Sequence, residues 1–175
     1  SGVYDLVFDW TSLFNNFLFT QSSQNTEEHV FTVRVTEQDG TNDLNTFYGT
    51  TIGSLPGTAG RTDIRIQTRH RQLYEAGDIR GRFFSGSGSR VVTSKFLDRF
   101  GNVPVMRLAE MVLTRAECNF RLRTAVGDTP ENDVNIIRER VGLPPLATLT
   151  LDAILRERKL ELAFEGHHLH DLKRT

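Results

Sequence analysis

The sequence predicts a mainly α-helical fold in which the helices come late, after a long loop-rich stretch with a few short strands. Two observations carry that prediction. From Gly101 onward, apolar residues recur at steps of three and four between clean cap and stop signals. Before Gly101, strand-like patches are separated by segments rich in Gly, Ser, Thr and Asn. Residues 1–100 are therefore read as a loop-rich region and 101–175 as a helical one, together one continuous domain.

Near the start, "DWTSLFNNFLF" has helical spacing through Phe14, Phe17 and Leu18, which favours core burial for Trp10, the single tryptophan. "HVFTVRVTE" alternates Phe31, Val33 and Val35 against Thr32 and Arg34, the pattern of a half-buried strand. "RVVTSKFL" at 90–97 is a second strand candidate, and "SGSGS" at 85–89 reads as a mobile tip. Between the strands lies "GTNDLNTFYGTTIGSLPGTAGRTD", a patternless stretch too long for filler and more typical of a binding surface or lid.

In the second half, Val105, Leu108, Ala109, Val112, Leu113, Ala116 and Phe120 form one apolar face, predicting a helix over 104–123. Ala109 and Ala116 would let a neighbouring helix approach closely. Cys118 lies in this helix and reads as a small buried residue. "GDTPEND" then starts a second helix, with Thr129 as cap and Pro130 at the first position. Val134, Ile137 and Val141 line its inner face, and Gly142 with Pro144 and Pro145 ends it. Thr150 caps a third helix running to Gly166. Short connectors make the three antiparallel neighbours, as in bundles and helix-pair solenoids.

Composition narrows the function. Lysine and arginine number 21 against 22 acidic residues, a net charge of −1, which is not the footprint of a nucleic-acid binder or of a polybasic membrane-surface protein. One cysteine cannot form an internal disulfide, and no apolar run reaches membrane-spanning length. No glycine-rich phosphate loop sits between a strand and a helix, so no cofactor is implied.

The closing stretch "ELAFEGHHLHDLKRT" gathers His167, His168 and His170 between Glu165 and Asp171. The spacing is not the i, i+4 histidine pair of helical zinc sites, and Gly166 interrupts the platform. Scaffolding is the better reading, with no metal or catalytic site. In "LRERKLELAFE", Arg158 and Glu161 are spaced to pair along the helix, while Glu157, Arg138 and Arg140 can tie adjacent helices together. Glu110, Glu117, Arg107 and Arg115 read as structural or solvated residues on a polar helix face, because nothing sets two carboxylates across a cleft.

The order and spacing of several segments resemble the C-terminal part of the SusD/RagB family. They are R-L-A-E at 107–110 with a second A-E at 116–117, N-x-I-R-x-R-x-G-L-P at 135–144, I-x-x-E-R-x-x-E-L-x-F-E-G at 154–166, and D-L-K-R at 171–174. Upstream, "LYEAGDIRGRFF" and "VTSKF" resemble further family segments. The resemblance implies the end of a tetratricopeptide-like helical superhelix overlaid by irregular loops and short strands, in a fragment of a longer protein. It implies a non-catalytic, surface-exposed lipoprotein of the outer membrane of Bacteroidota. Such a protein captures oligosaccharides or polysaccharides, or in some members peptides, for a SusC-like TonB-dependent transporter. Its membrane contact would be an N-terminal lipid anchor absent from this sequence. A helical-repeat scaffold for protein partners and a histidine-based metal hydrolase are the rival readings.

Sugars present a C–H face and a rim of hydroxyls, which flat aromatics beside amides and carboxylates suit. Phe47 and Tyr48, with Asn42, Asp43 and Asn45, offer that mixture on a predicted loop, and Arg61, Asp63 and Arg65 follow. These five, together with Trp10, are the candidate ligand-binding residues.

Overall fold

The computed structural model describes residues 4–7, 25–48, 61 and 64–175. In chain order the elements are β1 (His29–Val33), α1 (Asp43–Tyr48), α2 (Thr68–Arg71), a 3-10 turn at Ile79–Arg82, β2 (Phe84–Ser85) and β3 (Val92–Thr93). They continue with β4 (Val103–Arg107), α3 (Leu108–Leu122), α4 (Pro130–Arg140), α5 (Leu151–Glu161) and α6 (His168–Arg174). The strands form two separate antiparallel pairs, β1 with β4 and β2 with β3. The predicted mainly helical class holds, with helix concentrated after residue 107.

The caps form as the sequence requires. The Thr129 hydroxyl accepts from the Asn132 amide at 3.2 Å, with Pro130 opening α4, and the Thr150 hydroxyl accepts from the Ala153 amide at 3.1 Å to start α5. Gly142, at φ +83°, takes the left-handed turn after α4 that a side chain disfavours. Ala109, Leu113 and Ala116 of α3 meet Val134 and Ile137 of α4 and Ile154 of α5, all fully buried. The two alanines keep the α3 surface flat where the other helices pack. A second, smaller cluster joins Phe83 of the loop region to Val141 and Leu143 after α4.

Several expectations are corrected. Residues 104–107 are strand, not the first turn of a helix, and Val105 is largely exposed. The apolar spacing there is compatible with either state, and the tertiary partner decides. β4 pairs with β1, the Glu28 carbonyl accepts from the Leu108 amide at 2.9 Å, and Arg107 caps α3 in an extended conformation. Strand β1 exists, but Phe31 and Val33 are 55% and 50% exposed, so the face expected to be buried points outward. Register irregularities around Phe31 break the simple alternation. The 90–97 strand shrinks to two residues, and 86–91 is the turn of its hairpin with β2. Helix α5 stops at Glu161, five residues early, because Phe164 and Gly166 both adopt positive φ, although Leu162 and Ala163 stay buried. Cys118 is exposed, on the side of α3 away from the Ala109–Ala116 face.

Truncating Leu113 to alanine should cost about 2–5 kcal/mol, as for a fully packed leucine. Thr150→Ala should cost about 1 kcal/mol through the lost cap. Urea denaturation would check both, and a loss as large for Thr150→Ala as for Leu113→Ala would contradict this division of roles.

Candidate functional site

The six-residue helix α1 is held down by amides. The Asn42 Oδ1 accepts from the Asn45 amide at 2.8 Å, while its Nδ2 donates to the carbonyls of Asp98, Arg99 and Gly101 at 3.1, 3.2 and 3.1 Å. Asn45 is fully buried and donates to the carbonyls of Phe96 and Leu97. A loop backbone that would otherwise lack partners is satisfied this way. Asn42 and Asn45 thus brace the 96–101 loop, and Asn45 presents no surface to a ligand.

What α1 presents outward is Asp43 and Phe47, both exposed. The predicted loop carrying Phe47 and Tyr48 is therefore a helix, because Asn42 caps it. The Arg61 guanidinium lies over the Phe47 ring, 5.3 Å from its centroid, and the Arg61 amide donates to the Thr46 carbonyl. Arg99 lies likewise over Phe100 at 5.5 Å and donates to the Thr41 hydroxyl. Tyr48 turns the other way, with ring centroids 5.8 Å from Phe96 and 6.1 Å from Phe164. Trp10 and Asp63 lie outside the described residues.

Sequence reasoning missed the rest of that aromatic group. Phe164 packs on His70 and Phe84, and both of these pack on Tyr74, mostly edge to face. Burial lowers the His70 pKa, with Lys159 adding to the effect, and burial raises the Tyr74 hydroxyl well above its usual range. The one local signal was the i, i+4 spacing of His70 and Tyr74.

Beneath this face is a buried ionic network. Five cations (Arg80, Lys95, Arg107, Arg138 and Arg140) meet five carboxylates (Asp78, Glu28, Glu157, Glu161 and Glu165). Arg80 grips Asp78 through Nε and Nη2 and reaches Glu157 at 2.7 Å through Nη1. Arg107 forks onto Glu165 with two 2.8 Å bonds and reaches Glu28 at 2.6 Å. Glu161 accepts from Arg80, Arg107 and Arg140, and Lys95 bonds Glu165 and the Ala163 carbonyl. The expected Arg158–Glu161 pair along α5 does not form, since Arg158 turns to Asp171 and the Thr114 hydroxyl instead. Arg107 and Glu117, expected on a polar helix face, are buried. The links from Glu157 to Arg138 and from Arg140 into α5 join the helices as expected. Burial pushes the Glu165 carboxyl up, but Arg107 and Lys95 outweigh it and hold the pKa at about 2. Burial lowers Lys95, with Glu165 opposing.

The histidines do not converge. His167 Nδ1 lies 3.4 Å from Glu110 Oε1, His168 and His170 are exposed, and Asp171 accepts from Arg174 at 2.7 Å. No group of three or more His, Cys, Asp or Glu side chains among the described residues is placed to hold a metal ion.

An irregular, aromatic-bearing loop face is thus braced on the helices by buried ion pairs. The SusD family model matches residues 88–175, and this chain belongs to the SusD family. Solved structures carry the likeness across nearly the whole chain. Surface glycan-binding protein A from Bacteroides thetaiotaomicron superposes with a TM-score of 0.80 at 19% identity, covering 99% of this chain and 47% of that one. The same relation holds for that protein in complex with laminarihexaose. A SusD-like carbohydrate binding protein from Bacteroides vulgatus gives 0.71 at 23% identity, covering 98% and 38%. At these identities the likeness establishes the fold, and the chain spans less than half the length of each of these structures. No curated protein matches by sequence.

Removing one member of the network strands its partners. Glu161→Ala should destabilise by about 3–5 kcal/mol, because Arg80, Arg107 and Arg140 all lose an acceptor. Glu165 sets an acid limit with a definite sign. Its folded pKa of about 2 lies below the ordinary 4.5, so the unfolded chain binds more protons between those values. The stabilisation is complete above pH 4.5 and disappears as pH falls through about 2, an effect of about 3 kcal/mol. Stability curves over pH 2–7 should show a shallower acid limb in Glu165→Gln, and an unchanged slope would refute the assignment.

Proposed function

We propose that this protein captures oligosaccharides at a bacterial surface and passes them to a SusC-like TonB-dependent transporter, without catalysing a reaction itself. The observation that carries this reading is membership of the SusD family, joined to the laminarihexaose complex of a structure sharing its fold. Residues 1–100 contribute a ligand face and 101–175 the helices beneath it, in one domain that closes a tetratricopeptide-like superhelix. The protein is an outer-membrane lipoprotein of a Bacteroidota cell.

Capture is reversible. Phe47 supplies aromatic surface, Tyr48 packs against Phe96 and Phe164, and Asp43 supplies an exposed carboxylate for hydroxyls. Arg61 covers one side of Phe47, so a sugar would use the ring's other face or the guanidinium edge. Asn42 and Asn45 act indirectly, by holding α1 in place.

Calorimetric titration of the full-length protein against laminarihexaose and a panel of plant, fungal and host glycans tests the reading. Saturable heat with one glycan class is expected, weakened roughly tenfold by Phe47→Ala, in line with truncation of an aromatic anchor. Binding indifferent to Phe47→Ala and Tyr48→Ala would keep the function and remove the site from α1. Silence across the panel, with heat from peptides instead, would overturn glycan capture.

A further inference from the structure

Several segments converge on one aromatic face. Tyr48 at the end of α1, His70 of α2, Tyr74 soon after it, Phe84 of β2 and Phe164 in the turn after α5 are each half-buried. Phe164 sits at their centre, its ring 5.2 Å from His70, 6.1 Å from Tyr48 and 6.4 Å from Phe84. On the inner side, Tyr74, Phe84 and Phe164 close with the buried Arg80, Phe83, Thr93 and Lys95 around a void of only about 10 Å³. What these rings still expose therefore lies on the opposite, solvent side. A ligand meets a platform there, not a pocket.

Charge distinguishes this face. Lys159 of α5 and His168 of α6 lie close enough to His70 to disfavour its protonation. Neither side chain has an ion pair or hydrogen bond among the described residues, and the exposed Arg69 of α2 has none either. The carboxylates of the same stretch of chain are turned inward. Glu161 is held by Arg80, Arg107 and Arg140, and Glu165 by Lys95 and Arg107. His70 also offers an open nitrogen. Its Nε2 lies 3.3 Å from the Tyr74 hydroxyl, and its Nδ1 has no partner among the described residues. The buried side-chain atoms left without partners there belong to His29, Asn45, Arg71 and Arg140, so His70 Nδ1 is open to solvent.

We propose that this platform binds an acidic saccharide, a hexuronate unit laying its C–H face on the exposed aromatic surface with its carboxylate beside Lys159 and His70 Nδ1. The inference rests on the glycan-capture reading above and names the class of sugar. Lysine and arginine can only donate, so an anion is their natural partner. A hexuronate carries its carboxylate directly on the sugar ring, which keeps the charge next to the surface on which the ring lies. Position supports it too, since Tyr48 directly follows Phe47 and joins the platform to the outward side of α1.

The test titrates the full-length protein calorimetrically with hexamers of galacturonate, of mannuronate and of hyaluronan, each beside its carboxyl-reduced, neutral form, and with laminarihexaose. At least one acidic hexamer should bind about tenfold more tightly than its reduced form, as for one charge-assisted hydrogen bond. Lys159→Gln should remove most of that preference and leave the affinity of the reduced form unchanged. His70→Phe, which keeps a ring and removes the nitrogen, should diminish the preference as well. Equal binding of acidic and reduced forms, or saturable heat from neutral glycans alone, would overturn this inference and leave glycan capture intact. So would a preference that survives Lys159→Gln, or one that falls equally in Arg123→Gln, which removes an exposed charge at the end of α3. Absence of heat with these probes and with the wider panel would overturn both readings. Should a variant fail to fold, the comparison of acidic and reduced forms on the unaltered protein still decides the matter.

Discussion

The docking of the loop region onto the helices depends on the buried ionic network centred on Arg107 and Glu161. Its members come from sequence-distant places: Glu28 before β1, Asp78 and Arg80 at the 3-10 turn, Lys95 in the loop, Arg107 at the end of β4, Arg138 and Arg140 on α4, and Glu157, Glu161 and Glu165 on and after α5. Charges removed from water are tolerated only when each finds its partners in good geometry. That condition is met when the loop region and the helices are docked in one particular way. A hydrophobic interface could slip by a residue at modest cost, whereas this one would strand a guanidinium or a carboxylate.

The network also explains local choices that propensity leaves open. Arg107, extended at the junction of β4 and α3, reaches Glu28, Glu161 and Glu165 from a strand whose apolar spacing would equally suit a helix. Phe164 takes a left-handed conformation, uncommon for a non-glycine residue, in the turn that follows α5. That turn brings Glu165 back to Arg107 and Lys95, and places the Phe164 ring against Tyr48, His70 and Phe84. Ionic core and aromatic group are therefore joined through two adjacent residues.

For function, the consequence is rigidity under an irregular surface. Loops pay a large entropy cost to hold a fixed shape. Here Asn42 and Asn45 tie α1 to the 96–101 loop, Lys95 ties the residues just before it to the end of α5, and Arg80 ties the 3-10 turn to Glu157. On the proposed reading, a face held in this way would lose less freedom on taking up a flexible, well-hydrated ligand. The segments by which the sequence resembles its family contain many of these anchors, including Asp78, Arg80, Lys95, Arg107, Arg138, Arg140, Glu157, Glu161 and Glu165. The resemblance is thus in good part a record of the ionic core.

The sequence by itself determined the helices α3 to α5, their caps and their inner faces, because helical periodicity and capping are local and each signal sits within a few residues of its effect. It also carried the family resemblance. Only the tertiary structure decided that residues 103–107 are strand, that Phe31 and Val33 face outward, that Cys118 is exposed, and that Arg158 prefers Asp171 to Glu161. It likewise showed that Asn42 and Asn45 brace a loop. Most of these are settled by what residues distant in sequence do around them, and a charge or an amide reads the same in sequence whether it meets water, a backbone carbonyl or a buried counter-ion.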